Sequence, residues 1–277
     1  MRRFSLIPQL VPVAWFVALL CGCSALPKDD LLQNGDQSEP AADGKQRAPA
    51  AGLNAVAADL EAHGGQNMAL ALYENAAQKS GDAASFTALG DAYGRAGMTQ
   101  KAIAAYRTAL QKEPSNAAAM AALGAALLKT GKAGESIPLL QTAAASNKSG
   151  DVYANLGVAQ LLSGDPKAAA GTLEKALDLS PKDLDIATNL ALAQALSGQT
   201  GESVKLMRRI MGSPKANSRH RSNFALVLAL AGLVSEAKGL ADKDLPEARI
   251  DALIKRAERI NGAADDKARA KLLGMAD

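Results

Sequence analysis

Cysteine is almost absent from this chain. Cys21 and Cys23, both near the N-terminus, are the only two in 277 residues. A metal clip or a redox pair needs further Cys or His close by, and the surrounding LLCGCSALPKDD offers none, so neither purpose fits them. Nor can an intrachain disulfide staple the rest of the chain. Aromatic residues amount to only 3% and β-branched residues are few, which removes the usual material of sheets. Alanine, leucine and glycine dominate instead. The first two have high helix propensity because they lose little side-chain freedom, so the fold is read as all-α.

Histidine is scarce as well. His63 and His220 stand far apart, and neither belongs to a metal-ligand spacing or sits beside a nucleophile, so no catalytic residue, metal site or cofactor is assigned. His63 precedes Gly64-Gly65, where a cation meets the dipole at a helix end. His220 lies in RHR, read as a surface stretch.

Long hydrophobic runs are missing except at the start. Met1, Arg2 and Arg3 form a positive beginning, and Val11 to Leu20 form an apolar run that ends in small residues, the pattern of an export signal over residues 1–22. The run is too short for a stable bilayer anchor, and Pro8 and Pro12 interrupt it. Leu20, Cys21, Gly22 and Cys23 resemble the lipobox of bacterial lipoproteins. That resemblance makes Cys23 the lipidated first residue of the mature chain and anchors it in the membrane. Ordinary cleavage near Ala25, with an idle cysteine, is the alternative. In such lipoproteins Asp after the lipidated Cys favours retention at the inner membrane, so Ser24 implies the periplasmic face of the outer membrane. Arg2-Arg3 matches a twin-arginine signal poorly.

Residues 23–49 run through Lys, Asp, Gln, Gly, Glu and Pro with almost no bulky apolar side chain after Leu32, a composition unable to bury a core. They read as a flexible tether with a reach of roughly 25 Å.

From residue 50 to 245 the chain repeats itself. In FTALGDAYGRAGMTQKAIAAYRTALQKEP, residues 86–114, Phe86, Leu89, Gly90, Tyr93, Ala102, Tyr106, Ala109 and Pro114 fall at fixed intervals. This resembles the tetratricopeptide repeat of about 34 residues, two antiparallel helices that stack into a solenoid. Small residues set how closely the two helices approach, while large ones fill the space between repeats. Asp82 and Thr99 are expected helix N-caps, Gly97 and Pro114 expected stops, and Asp165-Pro166 an expected helix start. The pattern recurs with Met120, Leu123, Gly124 and Leu140, again with Tyr153, Leu156, Gly157, Leu173 and Pro181, and more loosely on both sides, giving five to six repeats. Residues 246–277 are read as a capping helix, with Ile250, Leu253, Ile254 and Ala257 on one stripe, followed by a polar tail.

A helical superhelix offers a concave face made by the first helix of each repeat. There Ala118, Ala121, Ala125, Leu128, Val158, Leu161, Leu192 and Leu226 predict a mostly apolar groove open to a partner segment. A competing account turns Leu161, Leu192 and Leu226 into the core and leaves only alanines outside. Asn155, Asn189 and Asn223 recur at one place per repeat, where they serve either the backbone of a bound peptide or neighbouring helices. Lys205, Arg208, Arg209, Lys215, Arg219 and Arg221 form a basic cluster, read as a solvated turn or as a site for an acidic partner. Export excludes nucleic acid as that partner.

RSNFALVLALAGLVSEAKGLADKDLPEA, residues 221–248, with NLALAQALSGQTGES at 189–203, is similar to the TadD-type tetratricopeptide lipoproteins of tight-adherence (Flp) pilus systems. The resemblance implies a non-enzymatic, pilotin-like assembly factor whose partners are a secretin or other pilus assembly proteins. A scaffold lipoprotein for exopolysaccharide export or peptidoglycan-hydrolase control carries the same features and stands as the alternative.

Overall fold

The chain turns back on a glycine at the same point of every hairpin. Gly64, Gly97, Gly131, Gly164, Gly198 and Gly232 hold φ between +73° and +87°, a left-handed backbone that is costly for an L side chain and accessible to glycine. The residue after each glycine donates its N–H across the turn to a carbonyl of the helix just ended. Met98 to Tyr93, Lys132 to Leu127, Asp165 to Gln160, Gln199 to Gln194 and Leu233 to Leu228 all span 2.8–2.9 Å. This bond satisfies an orphan acceptor of the helix end.

The structure is a computed structural model and describes residues 47–274. Six helical hairpins follow one another: α1 (Arg47–Ala62) with α2 (Gln66–Ser80), α3 (Ala83–Arg95) with α4 (Thr99–Lys112), and α5 (Ala117–Lys129) with α6 (Ala133–Ser146). Then come α7 (Gly150–Leu162) with α8 (Pro166–Leu179), α9 (Leu184–Leu196) with α10 (Thr200–Met211), and α11 (Ser218–Leu230) with the short α12 (Val234–Lys238). Two further helices, α13 (Glu247–Asn261) and α14 (Asp266–Gly274), complete the described residues, among which there is no strand. None of these helices is long and apolar enough to cross a membrane. The expected signal, the lipobox with Cys23 and most of the tether lie outside the described residues, and α1 begins at Arg47, inside the stretch read as tether.

Successive first helices, α1, α3, α5, α7, α9 and α11, contact one another more closely than successive second helices do. The side on which helices crowd is the inside of the curve, so the first helices line the concave face of an all-α solenoid.

Within each hairpin the closest approach falls where the small residues are. A Cβ on Gly90 would stand 2.4 Å from Tyr106 Cε1, one on Gly124 2.6 Å from Leu140 Cγ, and one on Gly157 2.5 Å from Leu173 Cγ. Ala102 and Ala109 are buried on α4, as the register requires. Asp82 caps α3, accepting from Ser85 N at 2.8 Å, and Asp165 caps α8, accepting from Ala168 N at 2.9 Å with Pro166 at the first helical position. Thr99 does not cap α4. The chain enters that helix directly from the Gly97 turn, so Met98 holds the cap position and Thr99 is already helical.

The stripe Ile250, Leu253, Ile254 and Ala257 is buried, and α13 packs on α11. The tail read as polar instead forms α14, which returns along the array to contact α7.

Candidate partner-binding groove

The concave face changes character along its length. On α5, Ala118 is exposed and Ala121 and Ala125 are half-buried, while Leu128 is buried. On α7, Asn155 remains half-buried, but Val158 and Leu161 are closed off at 2% and 0% exposure. Asn189 and Leu192 on α9 and Asn223 and Leu226 on α11 are buried too. Ala118, Ala121 and Ala125 of α5 keep part of their surface accessible, and the expectation of an open groove is corrected at Leu128, Val158, Leu161, Asn189, Leu192, Asn223 and Leu226.

The covering is the chain's own C-terminus. Leu192, Asn223 and Leu226 share a crevice of about 20 Å³ with Arg249, Leu253 and Arg256 of α13 and Leu273 of α14. A Cβ on Gly164 would stand 2.7 Å from the Lys267 Cα, so the start of α14 lies directly on the α7–α8 turn. A Cβ on Gly274 would reach Leu162 Cδ2 at 3.5 Å. This covering explains α9, in which every residue from Ile186 to Leu196 is buried. A helix that is apolar nearly all round needs neighbours on every side, and the solenoid alone leaves one side open.

Arg256 holds the two last helices together. It is 4% exposed, and its Nε donates to the Leu272 carbonyl oxygen at 3.1 Å while Nη2 donates to that of Leu273. Those carbonyls belong to the last turn of α14, where acceptors lack partners within the helix.

Residues 87–152 and 154–217 match the tetratricopeptide repeat family. These repeats are tetratricopeptide repeats. They share their fold with solved structures of low sequence identity. One comes from a functional characterization of Pseudomonas aeruginosa pilF, with 19% identity, TM-score 0.58, and coverage of 76% of this chain and 93% of that one. Another is YrrB, described as a tetratricopeptide protein with an unusual peptide-binding site, at 19% identity and TM-score 0.55, covering 67% and 97%. A tetratricopeptide repeat protein of Parabacteroides merdae aligns at 16% identity and TM-score 0.61 over 83% and 100%. No curated protein sequence matches the chain.

In the tetratricopeptide array the basic cluster is largely spent on internal pairing. Arg208 binds Glu236 at 2.7 Å, Arg219 binds Asp185 and Arg221 binds Asp242, whereas Arg209 and Lys215 are exposed. Carboxylates of α9, α12 and the loop after it thus already face three of these cations. His220 is buried rather than superficial. Asn217 accepts from His220 N at 3.2 Å and His220 Nδ1 accepts from Asn217 N at 3.1 Å, a reciprocal cap on α11. His63 Nδ1 bonds the Asp59 carbonyl at 2.8 Å near the end of α1.

At the opposite end of the tetratricopeptide array lies a polar ladder that sequence reasoning missed. Tyr106 donates to Asp91 at 2.6 Å, Tyr93 donates to Glu74 at 2.7 Å, and Arg95 grips Glu61 through two bonds of 2.6 and 2.8 Å. Burial raises the Asp91 carboxyl above its ordinary range, with the Tyr106 hydrogen bond and Arg95 opposing. The Tyr93 hydroxyl is pushed up to about 12 by burial and by its bond to Glu74. Arg95–Glu61 and Arg219–Asp185 each join first helices 34 residues apart. An acid and an arginine one repeat apart is the signal that would have found both.

Proposed function

We propose that this protein is an outer-membrane lipoprotein whose solenoid acts as a pilotin-like interaction scaffold for assembly of a secretin and the tight-adherence pilus machinery. One observation carries the scaffold reading: over α7 to α11 the concave face already holds a helix against Val158, Leu161, Leu192 and Leu226, so it is a surface suited to helical segments. The alanine floor of α5 continues that surface and is accessible to a partner. The lipobox ending in Cys23, followed by Ser24, supports the location, and the likeness to tight-adherence lipoproteins at residues 189–203 and 221–248 supports the choice of system. The pilF structure shares the fold and supports nothing narrower.

The test is the heat-resistant secretin multimer of the outer membrane in cells that lack this protein. The multimer is expected to fall sharply and to return with the parent gene. An undiminished multimer in the deletion strain overturns the pilus reading.

A further inference from the structure

α14 is built more like a bound ligand than like a core helix. It has nine residues, too few to persist as an isolated helix in water. Only Ala270 and Leu273 are buried on it, with Ala268, Arg269 and Leu272 partly so, while Asp266, Lys267, Lys271 and Gly274 face solvent. α13, by contrast, buries Ile250, Leu253, Ile254, Arg256, Ala257 and Ile260 and is fixed as the cap. The mostly exposed stretch 262–265 joins the two.

The receiving surface is made by residues outside α14. Leu192, Asn223 and Leu226 come from the repeats, and Arg249, Leu253 and Arg256 come from the cap. Arg256 directs its guanidinium at the last-turn carbonyls of α14, the negative end of that helix. Gly164 gives close passage to the other end of α14, where any side chain would meet the Lys267 backbone.

We propose that this surface is a helix-binding site, that α14 is its resident occupant, and that a protein partner binds by displacing α14 with a short amphipathic helix of its own. The proposal rests on the scaffold reading above. The features of α14 define the partner helix: a small residue and a leucine three apart, as at Ala270 and Leu273, a solvent face tolerant of lysine, and a C-terminal end that presents carbonyls or a chain-terminal carboxylate to Arg256.

The probe is a fluorescein-labelled peptide of residues 264–277, titrated against the full-length parent and against full-length Leu273→Asp. The parent, its site filled, is expected to bind weakly, and Leu273→Asp at least tenfold more tightly with one peptide per chain. Absent binding by a Leu273→Asp protein that circular dichroism shows to be folded, or equal binding by the two proteins, overturns the proposal. Should Leu273→Asp not fold, amide hydrogen exchange on the parent decides: α14 is expected to exchange at least tenfold faster than α13, and equal protection overturns displacement. A concentration-dependent dimer that trades α14 between copies also overturns it, because the occupant is then a second copy. Failure of the scaffold reading leaves the peptide result standing and shows only as an unchanged secretin in cells.

Discussion

Gly124 on α5 lies so close to Leu140 on α6 that a methyl group there would stand 2.6 Å from the Leu140 Cγ and 2.8 Å from Cδ2. Leu140 is fully buried, so it has no free space into which to retreat. Two effects compete at such a site. Alanine in place of glycine gains about 1 kcal/mol of helix propensity, while overpacking costs roughly 1–3 kcal/mol. Gly124→Ala is therefore expected to destabilise the protein. Gly171 in α8 isolates the first effect, since a Cβ there meets nothing within 4 Å, and Gly171→Ala is expected to stabilise by about 0.5–1 kcal/mol. Chemical denaturation of both variants checks the pair, and two shifts of the same sign would show the register to be misread.

The same register makes Ala102 and Ala109 close contacts, at 1% and 0% exposure. Leucine at either position is expected to cost on the order of 1–3 kcal/mol. Thermal unfolding measures it.

Asp91 gives a pH-dependent expectation. Its carboxyl is raised above 3.8 chiefly by burial, so its ionisation disfavours the folded state at neutral pH, and that cost disappears as pH falls to the unfolded value. Asp91→Asn removes the cost and keeps an acceptor for the Tyr106 hydroxyl. It should unfold at or above the parent midpoint at pH 7, with the gap narrowing in acid. Asp91→Ala leaves the buried Tyr106 hydroxyl without that acceptor and is expected to lose about 1–3 kcal/mol. If urea titrations find Asn as damaging as Ala, the carboxylate charge itself is required.

Lipidation of Cys23 is open to direct measurement. Mass spectrometry of the mature N-terminus should find acyl chains on Cys23, and Cys23→Ser should leave the outer-membrane fraction after a high-salt wash, since buried methylenes each contribute about 0.8 kcal/mol to anchoring. Ser24→Asp should shift the protein toward the inner membrane. A Cys23→Ser protein that stays with the outer membrane removes the lipid anchor from the account.

The solenoid was legible because its spacing is a steric requirement. Gly90, Gly124 and Gly157 each recur sixteen residues before a large side chain, at 106, 140 and 173, that would collide with anything bigger. The covered groove was not legible. DKARAKLLG buries just Ala270 and Leu273, so α14 is decided by tertiary contact with Arg256 of the preceding helix and with α7, which lies far away in sequence. One signal was present and points the right way: LDIATNLALAQAL in α9 has no fully polar face, which an open groove would require. Asn189 and Asn223 are both buried, and a 34-residue spacing alone carries no information about what lies above them.

The claim at the centre of the account is that the concave face binds the partner, and α5 is where that face is open. Ala121→Glu with Ala125→Glu places two charges on the half-buried alanine floor and leaves the buried register of Leu123, Gly124 and Leu127 intact. The decisive measurement is the heat-resistant secretin multimer in outer membranes from cells carrying this double variant at parental abundance and helicity. The account expects at least a tenfold loss of multimer. A multimer at the parental level, with the variant folded and equally abundant, would contradict it.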